Sequence, residues 1–110
     1  MSLDTPSTID ALSDDKDGAA VSLAIIDGWD WSDEAQHLVA LQAKLNAYFD
    51  FVQSGQIFET RPGARGKRLR IDLLTKYPLP DKAERFLQIA SQAARQLEIE
   101  IAHRVLQTPG

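Results

Sequence analysis

The sequence lacks cysteine altogether, which excludes disulfide frameworks, thiolate metal sites and thiol nucleophiles. It also lacks any apolar run approaching the roughly 20 residues that a transmembrane helix needs. Its first residues, MSLDTPSTIDALSDDKDG, have neither the basic nor the apolar region of a signal peptide. From these absences we expect a cytoplasmic protein with no membrane span.

The residues that are present fit one ordinary domain. The chain has 110 residues, of which 44% are hydrophobic and 25% are charged, close to globular averages. A chain of this length can bury one core without metals or disulfides. We expect a single domain over residues 1–110, with residues 1–6 and 107–110 frayed.

Basic residues are scarce in the first half of the chain. Residues 1–59 carry eleven acidic and two basic side chains, whereas residues 60–110 carry five acidic and ten basic ones, and the formal net charge is -4. Such an asymmetry indicates charged partners, unless the two halves neutralise each other within the fold.

Period-two alternation and turn residues predict the strands. Residues 7–12 and 19–26 flank the turn sequence SDDKDG and predict a hairpin. Residues 56–60 and 67–77 flank RPGARG and predict a second strand pair, and residues 98–106 alternate again as a last strand.

Apolar residues at three- and four-residue steps predict two amphipathic helices. The first begins at the N-cap Ser32 and ends at Ser54 and Gly55. The second follows Pro80 and carries its apolar stripe over residues 83–97.

The predicted order of elements is β-β-α-β-β-α-β. It favours an α+β fold, a two-layer sandwich with both helices on one face of a mainly antiparallel sheet. Residues 19–105 alone have the βαββαβ order of a ferredoxin-like fold. The N-terminal hairpin fits that order poorly, so either residues 7–12 are peripheral or the strand order differs.

The segment TRPGARGKRLR holds five basic side chains that could bind phosphates or an acidic partner: Arg61, Arg65, Lys67, Arg68 and Arg70. It does not have the spacing of a phosphate-binding P-loop, and no aromatic residues alternate with its bases as in many nucleic-acid sites. Three interpretations stay open: a solvated hairpin, a contact with a protein, or a site for nucleic acid or a phosphate ligand.

The segment DGWDWSDE places Trp29 and Trp31 among four acidic residues. Exposed tryptophans are favoured anchors in protein interfaces. Alternatively, the acids serve the start of the helix and the indoles close one end of the core.

No set of residues predicts catalysis, a metal or a cofactor. His37 and His103 lack the further ligands that a metal site needs, so we expect ion pairing for His37 and a core or interface position for His103. No serine lies in a nucleophile-elbow motif. We therefore expect a protein that is not an enzyme.

Two stretches, WDWSDEAQHLVALQAKLNAYFDFVQSGQIFE and GKRLRIDLLTKYPLPDKAERFL, resemble a family of small bacterial proteins catalogued as a domain of unknown function. In that family a helix ends near Y-x-x-F-x-x-SGQ, and a KYP segment leads to the second helix. The resemblance spans roughly residues 8–105 and implies a stand-alone cytoplasmic domain. It implies no catalytic residue, cofactor or activity.

The sequence therefore predicts a non-enzymatic interaction protein that binds a protein partner or a second copy of itself, as a homodimer. The predicted contact residues are the two tryptophans and the five bases, namely Trp29, Trp31, Arg61, Arg65, Lys67, Arg68 and Arg70. The alternative is binding of nucleic acid or a phosphate ligand through residues 61–70.

Overall fold

The computed structural model describes Leu3 and residues 8–106. The protein is α+β, as predicted from the sequence. Its elements in chain order are β1 (Ala11–Asp14), β2 (Ala20–Asp27), α1 (Glu34–Gln53), α2 (Gln56–Thr60), a 3-10 turn (Pro62–Ala64), β3 (Arg68–Thr75), α3 (Asp81–Gln96) and β4 (Ile99–Val105). Apart from Leu3, which is buried in the core, the ends predicted to fray lie outside the described residues.

The four strands form one sheet in the order β1-β2-β3-β4. The hairpin β1–β2 is antiparallel, but β2–β3 and β3–β4 are parallel. The prediction of a mainly antiparallel sheet is therefore wrong, because the sheet is mixed. A parallel pair needs a crossover of a dozen or more residues, and α1 and α3 lie in those two crossovers.

Residues 56–60, predicted to be a strand, form the short helix α2 instead. Gly55 adopts a left-handed φ of 81° between α1 and α2, a conformation that favours glycine. The adjacent residues Ile57 and Phe58 both pack on the core, as one turn of helix allows and an extended strand does not. The loss of this strand removes the βαββαβ order, so the predicted ferredoxin-like order is also wrong.

The core lies on one face of the sheet. Alternate residues of β2 and β3 point into it, and those of β3, Leu69, Ile71 and Leu73, are the ones that the sequence places inward. They pack with residues of both long helices, including Leu41, Leu45 and Tyr48 of α1 and Ala94 of α3.

The opposite face of the sheet is lined by the other alternate residues of the three parallel strands. We call it the open face and define it by Ser22, Ala24, Ile26, Arg70, Asp72, Leu74, Glu100, Ala102 and Arg104. Ile26 is 44% exposed there.

A polar cluster fixes α1 against the edge of β2. The Tyr48 hydroxyl donates to the Ala24 carbonyl and accepts from the Asp10 N–H at 2.8 Å. The Asp10 carboxylate pairs with Lys44 Nζ at 2.9 Å and accepts from the Ile26 N–H at 2.9 Å. Burial raises the pKa of Tyr48 well above its ordinary value of 10.0, so this phenol stays protonated as a donor.

Candidate functional site

The basic segment 61–70 is not the tip of a hairpin, because it connects α2 to β3 and continues into that strand. Arg61 and Lys67 approach the Asp14 carboxylate at 3.9 and 3.5 Å. The guanidinium of Arg65 lies over the Phe58 ring at 4.9 Å from its centre, and Arg68 is exposed at the start of β3. The last residue of β1 therefore supplies, within the same chain, an acidic counterpart to part of this segment.

Arg70 is held on the open face by two carboxylates. Its Nη1 and Nη2 donate to Asp15 at 2.9 and 2.7 Å, and its Nε donates to Asp72 at 2.9 Å. The Ser22 hydroxyl also donates to Asp72. The bidentate contact lowers the pKa of Asp15 and, together with Asp72, raises the pKa of Arg70. Carboxylates of the same chain therefore already neutralise the charge of Arg70.

The indoles of Trp29 and Trp31 lie where the chain leaves the carboxyl end of β2. Trp31 stacks on the His37 ring with centroids 3.6 Å apart, and Trp29 lies tilted to the same ring at 5.6 Å. Both indoles are half-buried, and α1 begins beside them with Asp33 as the N-cap rather than the predicted Ser32. The Trp31 Nε1–H is buried and has no hydrogen-bond partner among the described residues.

His37 is buried and forms an ion pair with Asp27, which is also buried. Its Nδ1 lies 2.9 Å from the Asp30 carbonyl oxygen, which can only accept, so Nδ1 carries a proton. Its Nε2 faces the Asp27 carboxylate, with which it shares a second proton. Both ring nitrogens are occupied, so this histidine is not positioned to act as a general base on a ligand.

His103 lies on the inner face of β4, which agrees with the core or interface position that the sequence predicts. Its Nε2 is 2.9 Å from the Thr75 Oγ1, and burial lowers its pKa. Over the described residues, no group of three or more His, Asp or Glu side chains is arranged to hold a metal. None of the helices in this part of the chain is both long enough and apolar enough to cross a membrane.

The structure does not bring the seven predicted contact residues together. In the register of β2 and β3, Ala20 lies opposite Arg68 and Asp27 lies opposite Thr75. The basic segment therefore meets the sheet at the amino ends of these strands, while both tryptophans follow a carboxyl end. Seven residue steps of about 3.3 Å separate the two ends by roughly 23 Å.

Comparison with protein families found one whose model matches residues 1–107, described as a family of unknown function (DUF6572). The chain belongs to DUF6572. The match confirms the resemblance to a domain of unknown function seen in the sequence. Comparison with curated proteins found no match for this DUF6572 chain, and neither did comparison with solved structures.

Sequence reasoning about this DUF6572 member missed the buried charges of Asp27 and Lys44, and the partly buried carboxylate of Asp10 that pairs with Lys44. Lys44 falls on the apolar face of α1, three residues after Leu41 and four before Tyr48. That position could have been recognised in the sequence, because a lysine on a buried helix face needs a partner for its charge. Asp27 carries a weaker signal, since it continues the inward row of β2 past Ile25.

We expect Asp15→Asn to remove a pH-dependent part of the stability. Because Arg70 lowers the folded-state pKa of Asp15 below 3.8, the folded chain holds this proton less tightly than the unfolded chain. The stabilisation is present above about pH 4 and is lost as the pH falls below it. In urea unfolding, the difference in the free energy of unfolding between wild type and Asp15→Asn should become smaller as the pH falls from about 5 to about 3. A gap that stays constant over this range would count against the ion pair.

Proposed function

We propose that this chain is a non-enzymatic interaction protein that binds another protein chain through the free side of β4 and the adjoining open face. One observation carries the proposal: β2, β3 and β4 run parallel, while the described helices pack on one face only. Parallel sheets occur almost only with both faces covered. We infer that a partner chain covers what the described residues leave open.

The open face suits a protein partner of mixed character. A groove of about 480 Å³ runs along it, lined by polar residues beside Ala24, Leu74 and Ala102. The Arg70 network holds its charged groups in one arrangement, so binding would cost little side-chain entropy. The proposal thus moves the main contact away from the two tryptophans and most of the predicted bases. Its cytoplasmic setting is the one expected from the sequence.

Binding of nucleic acid or a phosphate ligand has weaker support. Arg61, Lys67 and Arg70 each lie within 4 Å of a carboxylate of the same chain. Such pairing leaves Arg65 and Arg68 as the better placed of the five bases. Phosphate contacts come mainly from unmatched bases that displace counterions.

The first partner to test is a second copy of the chain. We expect light scattering of the purified protein to give a mass near twice the monomer value of 12.2 kDa, falling toward that value on dilution. A mass that stays at the monomer value at every concentration and at both low and high salt would contradict self-association.

A further inference from the structure

β4 is the long free edge of the sheet. It has seven residues, Ile99–Val105, and pairs with β3 on one side only, whereas β1 at the other edge has four. No other described backbone group bonds to its outer side. A long edge with unpaired N–H and C=O groups is a template for another strand, and short edges are the safer kind.

The backbone groups that point outward can be assigned. The Leu106 N–H donates to the Thr75 carbonyl at 2.7 Å, so Leu106 faces β3. Backbone direction alternates along a strand, so the even-numbered residues of β4 bond to β3. The N–H and C=O groups of the odd-numbered residues therefore point outward, at Ile99, Ile101, His103 and Val105.

The sequence of β4 is self-complementary about Ala102. Read from both ends of IEIAHRV, Ile99 meets Val105, Glu100 meets Arg104, and Ile101 meets His103. Each pair is apolar with apolar, acid with base, or aliphatic with aromatic. Opposite charges on facing strands stabilise a pair of strands, and like charges destabilise it.

Resting on the proposed function above, we propose that β4 of one copy pairs antiparallel with β4 of a second copy about a two-fold axis at Ala102. The four-stranded sheet then continues into the second copy, and every outward N–H and C=O of β4 gains a partner. Ala102 meets its own copy at a non-hydrogen-bonded position, where Cα atoms approach to about 4.5 Å. A small side chain fits there.

The register follows from the charges. Glu100 and Arg104 lie on the open face and both are exposed. A shift by two residues in either direction places Glu100 opposite Ala102 or Leu106 and loses both ion pairs. The two-fold axis at Ala102 is the register that keeps them.

The helix α3, which packs beside β4, also carries an acidic residue near its start and a basic residue near its end. A groove beside His103 is bordered by α3, with Glu84 near one end of the helix and Arg95 near the other. A two-fold axis that reverses β4 also reverses α3. The acidic end of each helix then faces the basic end of its copy, which adds charge complementarity to the strand pairing.

Charge variants test the ion pairs of this register. Glu100→Arg alone, or Arg104→Glu alone, places like charges opposite each other twice per dimer, and should raise the dimer dissociation constant by on the order of tenfold or more. The double variant Glu100→Arg/Arg104→Glu should restore the wild-type constant. Mixing the two single variants should give a heterodimer, since each then carries the complement of the other. Circular dichroism confirms that each variant is folded.

A thiol at the axis tests the geometry independently, because the natural chain has no cysteine. Ala102→Cys should form a disulfide-linked dimer on mild oxidation, since facing Cα atoms at that spacing suit the bond. The matched control is Ser13→Cys, an exposed position on the edge strand β1, which should cross-link much more slowly.

The outcomes separate the two proposals. If wild type dimerises but Ala102→Cys cross-links no faster than Ser13→Cys and the mixed variants do not pair, this register is wrong while the interaction function stands. If wild type is a monomer at every concentration and Ala102→Cys stays uncross-linked, pairing of β4 with a second copy is overturned, and so is the self-association that light scattering tests.

Discussion

Replacing Asp27 with alanine should lower the free energy of unfolding by about 3–5 kcal/mol. Asp27 and His37 are each 1% exposed, and the Asp27 carboxylate is the hydrogen-bond partner of the ring Nε2 among the described residues. Without it, Nε2 of this buried ring loses its hydrogen-bond partner. Total stabilities of 5–15 kcal/mol are usual for domains, so this loss would be a large fraction. Urea unfolding at neutral pH measures it.

Two comparison variants distinguish the cost of losing the ion pair from the cost of removing an acidic side chain in general. Asp27→Asn keeps a polar group beside Nε2, so its cost should be smaller, about 1–3 kcal/mol. Asp50→Ala removes an exposed carboxylate on α1 and should change the stability by less than about 0.5 kcal/mol. If Asp27→Ala costs no more than Asp50→Ala, the buried pair does not stabilise the site as described.

Replacing Tyr48 with alanine should cost about 3–5 kcal/mol, because the ring is fully buried in the core and would leave a cavity. Tyr48→Phe isolates the hydroxyl and should cost about 1–3 kcal/mol, since the Asp10 N–H and the Ala24 carbonyl lose their partner. Both values come from chemical denaturation.

The control for Tyr48 lies on the same helix. Val39 is 67% exposed, so Val39→Ala should stay within about 0.5 kcal/mol of wild type. Equal costs for Tyr48→Phe and Val39→Ala would show that the hydroxyl contributes nothing to holding residue 10 against β2.

The sequence predicted the strongly periodic elements closely. The predicted strands 19–26 and 98–106 agree with β2 and β4 to within one residue at each end, because an inward row such as Val21, Leu23 and Ile25 determines both the element and its buried face. The strand predicted for residues 56–60 was wrong because five residues form little more than one turn of helix, which is too short to show a helical period. Pairing direction failed as well, since alternation looks the same in parallel and antiparallel strands.

The candidate site depended on that missing information. Arg70 binds Asp15 because the fold brings the β1–β2 turn beside β3. These two residues are fifty-five positions apart in the chain, so the sequence does not show that they meet. Likewise, Trp31 and Arg68 belong to opposite ends of the sheet only because β2 and β3 are parallel. By contrast, the self-complementary pattern about Ala102 is readable in the sequence, but becomes meaningful once β4 is known to be the edge.

Residue-resolved amide hydrogen exchange in β4 measures whether this edge strand pairs with a second copy of the chain. In a monomer, the N–H groups of Glu100 and Ala102 are bonded to β3, whereas those of Ile101 and His103 face solvent. If β4 pairs between two copies, Ile101 and His103 are protected as strongly as Ala102 at high protein concentration, and they lose this protection on dilution. Fast exchange of both at every concentration, beside a protected Ala102, would contradict it.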